Sequence, residues 1–335
     1  MNLQTALVAE YAPIGTSAEQ LLQYPFARPD HSYCTDGETV TVMPDTFSAF
    51  TVAADELLTQ RGVPVLAERT PVVAYGANAS PVKLTGKMGG KFTPEELRGE
   101  LQIVPSIMAE MDETAIVWHG KPGQTGSVFA ELYRSPETAG VVSSCFVQFL
   151  TNEQIALLHA SEGVTYHFAP LSVRVGSDSH QMEALAYVAG MSEVLLDKAG
   201  KPILVKPLTK EAGEVTMTAH EAVAYMLENA GEAVETVNPI EYIETAPKTL
   251  AEKKARQAKV RKALGEAGLS AEFSFPGTVR RGRADFNGSD GHANPAEPYS
   301  IQLMEDVLSR LSTTTLVSVI RKRAHDELAQ LLKHE

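Results

Sequence analysis

Cysteine is almost missing from this chain, with only Cys34 and Cys145 among 335 residues. They show no paired spacing, so neither a disulfide framework nor a cysteine zinc site has its raw material. Both are expected to be reduced thiols. Positive charge is also scarce: 29 Lys and Arg face 42 Asp and Glu, a formal net charge of −13. A surface with that balance repels polyanions as a whole, so no nucleic-acid partner is expected. No apolar run approaches the roughly 20 residues needed to span a bilayer. The opening MNLQTALVAEYAPIG lacks a basic region followed by an apolar core. These absences lead to the expectation of a cytoplasmic protein with no membrane partner.

Most familiar catalytic signatures are absent as well. The sequence has no Gly-x-Ser-x-Gly elbow, no Gly-x-x-x-x-Gly-Lys phosphate loop, no Gly-x-Gly-x-x-Gly and no His-Glu-x-x-His. His220-Glu221 is followed by Ala-Val-Ala, so the second histidine of a zinc helix is missing. Asp285 to His292, DFNGSDGH, lacks a distal carboxylate in register for calcium and reads as a solvated turn. No metal or cofactor is therefore expected.

An apolar fraction of 44% over 335 residues is enough to fill a real core. Three regions differ in pattern. Residues 1–70 form an N-terminal extension with a strand-like ETVTVMP and a helical AFTVAADELLTQ. From Pro71 to about Leu208, short apolar runs bounded by Gly, Pro or Ser follow one another too tightly for helical crossovers. That predicts a mainly antiparallel or mixed sheet, closed into a barrel, rather than a doubly wound parallel sheet. Residues 209–335 return to helical patterns, interrupted by a Gly- and Pro-rich loop near 273–298. Within them, Ile301 to Ile320 carries enough apolar positions at helical spacing to need a partner surface, and a homo-oligomer stays open. The basic run Lys253 to Lys262 spreads around more than one helical face and, with Arg280 to Arg283, reads as solvated.

Two stretches carry chemistry. In the first, PVVAYGANASPVKL, an apolar strand runs into Tyr75-Gly76-Ala77-Asn78. A glycine there lets backbone approach a ligand, and successive N–H groups can cup an anion. The bland alternative is a strand-ending turn with Asn78 in a left-handed conformation. In the second, LHASEGVTY, Glu162 precedes Gly163 and is either a functional acid or the solvated end of a helix.

Taken together, in this order and spacing, these stretches resemble the γ-glutamylcyclotransferase family. Its usual loop is Tyr-Gly-Ser-Asn, with Ala77 here in the serine's place. Its acid lies in Leu-Asp-x-x-Glu-Gly, matched by Leu158-His159-Ala160-Ser161-Glu162-Gly163. AIVWHGKPGQTGSVFAELYRSP and EALAYVAG are similar to later family segments, so the likeness runs from Pro71 to about Pro207. It implies an α+β protein with a γ-glutamylcyclotransferase-like mixed barrel flanked by helical extensions. It also implies an activity, release of 5-oxoproline and an amine from a γ-glutamyl amide or peptide. Glu162 would be the general acid and base. Tyr75, Gly76, Ala77, Asn78 and Tyr166 would bind the small-molecule substrate, while Trp118 either joins them or belongs to the core. Two other outcomes stay open: a catalytically silent barrel acting as a binding or interaction module, and amide hydrolysis or amine transfer at the same site.

Overall fold

Alternation of apolar residues builds the centre of the molecule. The computed structural model describes residues 4–89, 98–162, 166–189, 192–210, 215–273 and 275, without the side chains of residues 98, 156, 159–162, 167 and 168. The expectations for 276–335, including the segment Ile301 to Ile320, fall outside the described residues.

Strand β1 (Thr5–Leu7) is followed by helix α1 (Ser17–Leu21), the pair β2 (Tyr33–Thr35) and β3 (Thr39–Val42), and helix α2 (Phe47–Gln60). Helix α2 buries Phe50, Ala53, Ala54 and Leu58, the spacing of one helical face. Next come β4 (Thr70–Ala74), α3 (Pro81–Met88) with proline in its first turn, and α4 (Arg98–Leu101). Strands β5 (Val104–Asp112), β6 (Ala115–Trp118), β7 (Ala130–Tyr133) and β8 (Val142–Leu150) lead to helix α5 (Asn152–Glu162). Then follow β9 (Tyr166–Val175), β10 (His180–Ala189), β11 (Ser192–Leu195), β12 (Leu204–Val205) and β13 (Thr216–Met217). Helices α6 (Ala219–Ala230), α7 (Pro239–Glu244) and α8 (Leu250–Glu266) precede β14 (Ser270–Phe273).

The fold is mixed α+β around a closed five-stranded barrel of order β5-β8-β4-β10-β9, in which β9 returns to β5 through Ala109↔Val175 and Glu110↔Arg174. Only β4 and β10 run parallel within it, at Leu185↔Val72 and Ala186↔Val73. Period-2 positions such as Val73, Ile107, Ala109, Val147, Phe149, Val173 and Ala186 fall in one buried apolar cluster. The N-terminal region is part of the same sheet, because β2 pairs with the start of β5 at Tyr33↔Ser106 and carries β3 and β1 beyond it. One edge of β5 is thus shared, its first residues taken by β2 and its later ones by β9.

A second sheet, β13-β12-β6-β7, and the ribbon β11-β14 stand beside the barrel. Helix α6 adds Ala222, Val223, Met226 and Leu227 to the barrel's cluster, and α8 adds Val260 and Leu264. The carboxylate of Glu221 is a helix cap: it accepts from Thr218 N–H at 2.7 Å while Thr218 Oγ1 accepts from Glu221 N–H at 3.3 Å. Helix α8, which carries the basic run, buries only Val260 and Leu264, as a solvated helix does. Among the described residues no helix is long and apolar enough to cross a membrane.

Candidate functional site

At the end of β4 the chain leaves the barrel through Tyr75 and Gly76 into a single 3-10 turn, Ala77–Ala79. The turn is held by four hydrogen bonds. Tyr75 Oη donates to the Tyr187 carbonyl of β10 at 3.0 Å. Gln148 Nε2 of β8 donates to the Asn78 carbonyl at 2.8 Å, and Tyr33 Oη donates to the Ala79 carbonyl at 3.2 Å. Lys87, in the last turn of α3, donates to Asn78 Oδ1 at 2.7 Å. Glycine is required at 76 because a Cβ there would fall inside contact distance of Tyr24 Oη. That hydroxyl is itself fixed by the Ala130 N–H at 3.3 Å.

This loop lines a cavity of about 480 Å³. Tyr24, Lys87, His119, Lys121, Phe129, Glu131, Tyr166, Tyr187 and Ser192 line it as well. The size lies within the usual range for small-molecule sites. Tyr75, Gly76, Ala77, Asn78 and Tyr166, five residues singled out by sequence, therefore meet around one space. Trp118 does not line it. Its ring is fully buried in the apolar cluster behind the wall, and its indole N–H donates to the Met217 carbonyl at 2.9 Å. Of its two sequence readings, the structure places Trp118 in the core. Glu162 closes α5 in the backbone, while its side chain and residues 163–165 lie outside the described residues.

Two further titratable groups of the cavity, Glu131 and His119, were not assigned a role from the sequence, where His119 stayed open between core and substrate channel. Glu131 lies in β7 opposite Val117, is only 2% exposed, and accepts from Tyr166 Oη at 3.2 Å through Oε1. A charged residue inside the apolar run SVFAELY was the signal that pointed to it. His119 is 5% exposed and its ring packs on Phe129 with centroids 4.3 Å apart. Burial pushes its pKa down to about 3, and the charges of Lys121 and Arg261 add to the effect. At neutral pH it is therefore an uncharged imidazole. Its Nδ1 accepts the Lys121 N–H at 3.2 Å, which leaves the proton on Nε2 as a donor.

The cavity thus combines a backbone turn, a buried carboxylate, phenols, two lysines and a neutral imidazole, a set suited to holding a polar organic molecule and moving protons. Among the described residues, no group of three or more His, Cys, Asp or Glu is placed to hold a metal ion. Comparison of the chain with protein-family models, with curated proteins and with solved structures finds no match.

Proposed function

We propose that this cavity cyclises a γ-glutamyl amide or peptide, releasing 5-oxoproline and the amine, on a γ-glutamylcyclotransferase-like barrel. The carrying observation is that the Tyr75–Asn78 turn and Tyr166, far apart in sequence, line one cavity of suitable size. The closed mixed barrel supports the same reading.

The chemistry needs no protein nucleophile. The substrate's α-amino nitrogen attacks its own γ-carbonyl carbon, a C–N bond forms to close the lactam, and the bond to the leaving amine breaks. Two protons leave the attacking ammonium as it becomes the lactam N–H, and two join the departing nitrogen, which leaves as an ammonium, so a single carboxylate can pass them across one at a time. Alignment of the folded-back chain supplies most of the advantage, since effective molarities reach on the order of 10⁵ to 10⁸ M. In this scheme Glu162 is the acid and base. The turn at Gly76 to Asn78 receives the α-carboxylate through backbone N–H groups, and Tyr75 walls the pocket. The Nε2–H of His119 is available to a carbonyl oxygen.

The test is incubation with a panel of γ-glutamyl amines and peptides, assayed for 5-oxoproline. Release is expected from at least one compound, and Glu162→Gln should lower turnover by roughly 10²- to 10⁴-fold with the fold intact. Full turnover in the folded variant would end the role of Glu162. Glutamate in place of 5-oxoproline would mean hydrolysis. Binding without any product would mean a ligand-binding module, and in either case the cyclotransferase proposal falls.

A further inference from the structure

We propose that Glu131, together with Tyr166 and Ser192, forms an ammonium subsite, so that the compounds this cavity accepts carry a free primary amine. Strand β7 reads Ala130-Glu131-Leu132-Tyr133, and all four residues are buried. A carboxylate in such a strand position gives up its hydration, and a strand of this kind is ordinarily apolar throughout. Here the carboxylate opens onto the cavity, where the Tyr166 hydroxyl orients Oε1 at 3.2 Å. A carboxylate offers about four acceptor positions, so it can receive a guest's donors beside the phenol's.

Ser192 supplies an independent observation. It is 7% exposed and lines the same cavity, and its Oγ is buried without a hydrogen-bond partner among the described residues. A hydroxyl withdrawn from water and left unbonded marks a place where a polar guest belongs. An ammonium group has three donors and no acceptor, which suits a carboxylate and a hydroxyl oxygen. Lys87 and Lys121 also line the cavity. A purely cationic guest would meet these lysines and a purely anionic one would meet Glu131, whereas a zwitterionic amino-acid head satisfies both signs.

This inference deepens the cyclotransferase proposal, on which the choice of probe rests. Glu131 would hold the amine before reaction and show its effect in KM, whereas Glu162 would move protons and show its effect in kcat. The experiment compares γ-glutamyl-methylamide with its N-acetyl derivative, titrated by calorimetry into the full chain and into Glu131→Gln and Ser192→Ala. The free amine should bind the unmutated protein at least 30-fold more tightly than the acetylated compound. Glu131→Gln, which keeps the side chain's shape, should erase that preference and leave the weak binding of the acetylated compound unchanged. Ser192→Ala should weaken the free amine alone by about tenfold, and it carries the test if Glu131→Gln does not fold. Equal binding of both compounds, no binding of either, or an undiminished preference in the folded variants would overturn the subsite. If 5-oxoproline forms and Glu131→Gln leaves KM unchanged, the subsite falls and the cyclotransferase stands. If the amine preference depends on Glu131 and no 5-oxoproline appears, the subsite stands and the cyclotransferase falls.

Discussion

At His119 a single ring couples the cavity to the stability of the whole chain. An unfolded histidine titrates near 6.5, and burial lowers the native value to about 3. Between those two values the unfolded chain binds a proton that the native chain does not, so acidification favours unfolding. The stability that His119 contributes as a neutral ring is intact above 6.5 and is lost as pH falls toward about 3. From pH 7 to pH 5 this linkage alone should shift the folding equilibrium by roughly 25-fold toward the unfolded state. His119→Gln keeps an acceptor for the Lys121 N–H but does not titrate. Urea unfolding at the two pH values should show a smaller acid loss in that variant, and an identical loss would remove His119 as the cause. The burial of His119 could not be read from the sequence, and that of Glu131 was marked only by a charge inside an apolar run. Both depend on what packs over them, Phe129 in one case and the phenol of Tyr166 in the other. Tyr75 to Asn78 was legible because Gly76 and its neighbours form a local pattern that needs no tertiary knowledge.

Among the elements, the end of the barrel away from Tyr75 is tied by one guanidinium. Arg69, just before β4, donates from Nε to the Pro64 carbonyl at 2.8 Å and from Nη1 to the carbonyls of Ile103 at 3.1 Å and Phe149 at 3.2 Å. It also reaches Gln154 Oε1 at 3.3 Å, and Gln154 Nε2 donates to the Leu101 carbonyl at 2.9 Å. The pair joins the starts of β4, β5 and α5 to the end of β8, and so anchors the helix whose last residue is Glu162. Arg69→Met fills similar space but strands the buried Phe149 carbonyl and removes one of the two donors to the Ile103 carbonyl, which keeps Gln154 Nε2 at 3.1 Å. The expected loss is about 2–4 kcal/mol in urea unfolding. A loss under about 0.5 kcal/mol, the scale of an ordinary surface substitution, would show the clamp to be ornamental. The barrel strands themselves were visible in the sequence as period-2 runs. The attachment of β2 to β5 was not, because short strands such as YCT carry no mark of a partner 70 residues later.

For the whole molecule, the C-terminal helices are structural partners of the barrel. Met226 and Leu227 of α6 and Leu264 of α8 share one buried cluster with Val147 and Val173. A chain ending after Leu208 would expose that face, so it should associate on size exclusion and lose its cooperative melting transition. A monodisperse truncated chain with unchanged melting would mean the helices are dispensable. The shared edge of β5 and the parallel β4–β10 pair have a further consequence, in time rather than in space. Tyr75 Oη bonds a carbonyl 112 positions further along the chain, and loops of that length must be closed before the contact returns any stabilisation. On a growing chain the Tyr75–Asn78 turn, β7 and β8 are all synthesised while β4 still lacks β10. The cavity is therefore completed well after the turn that founds it, and it comes into being only when Tyr187, Ala189 and Ser192 have arrived.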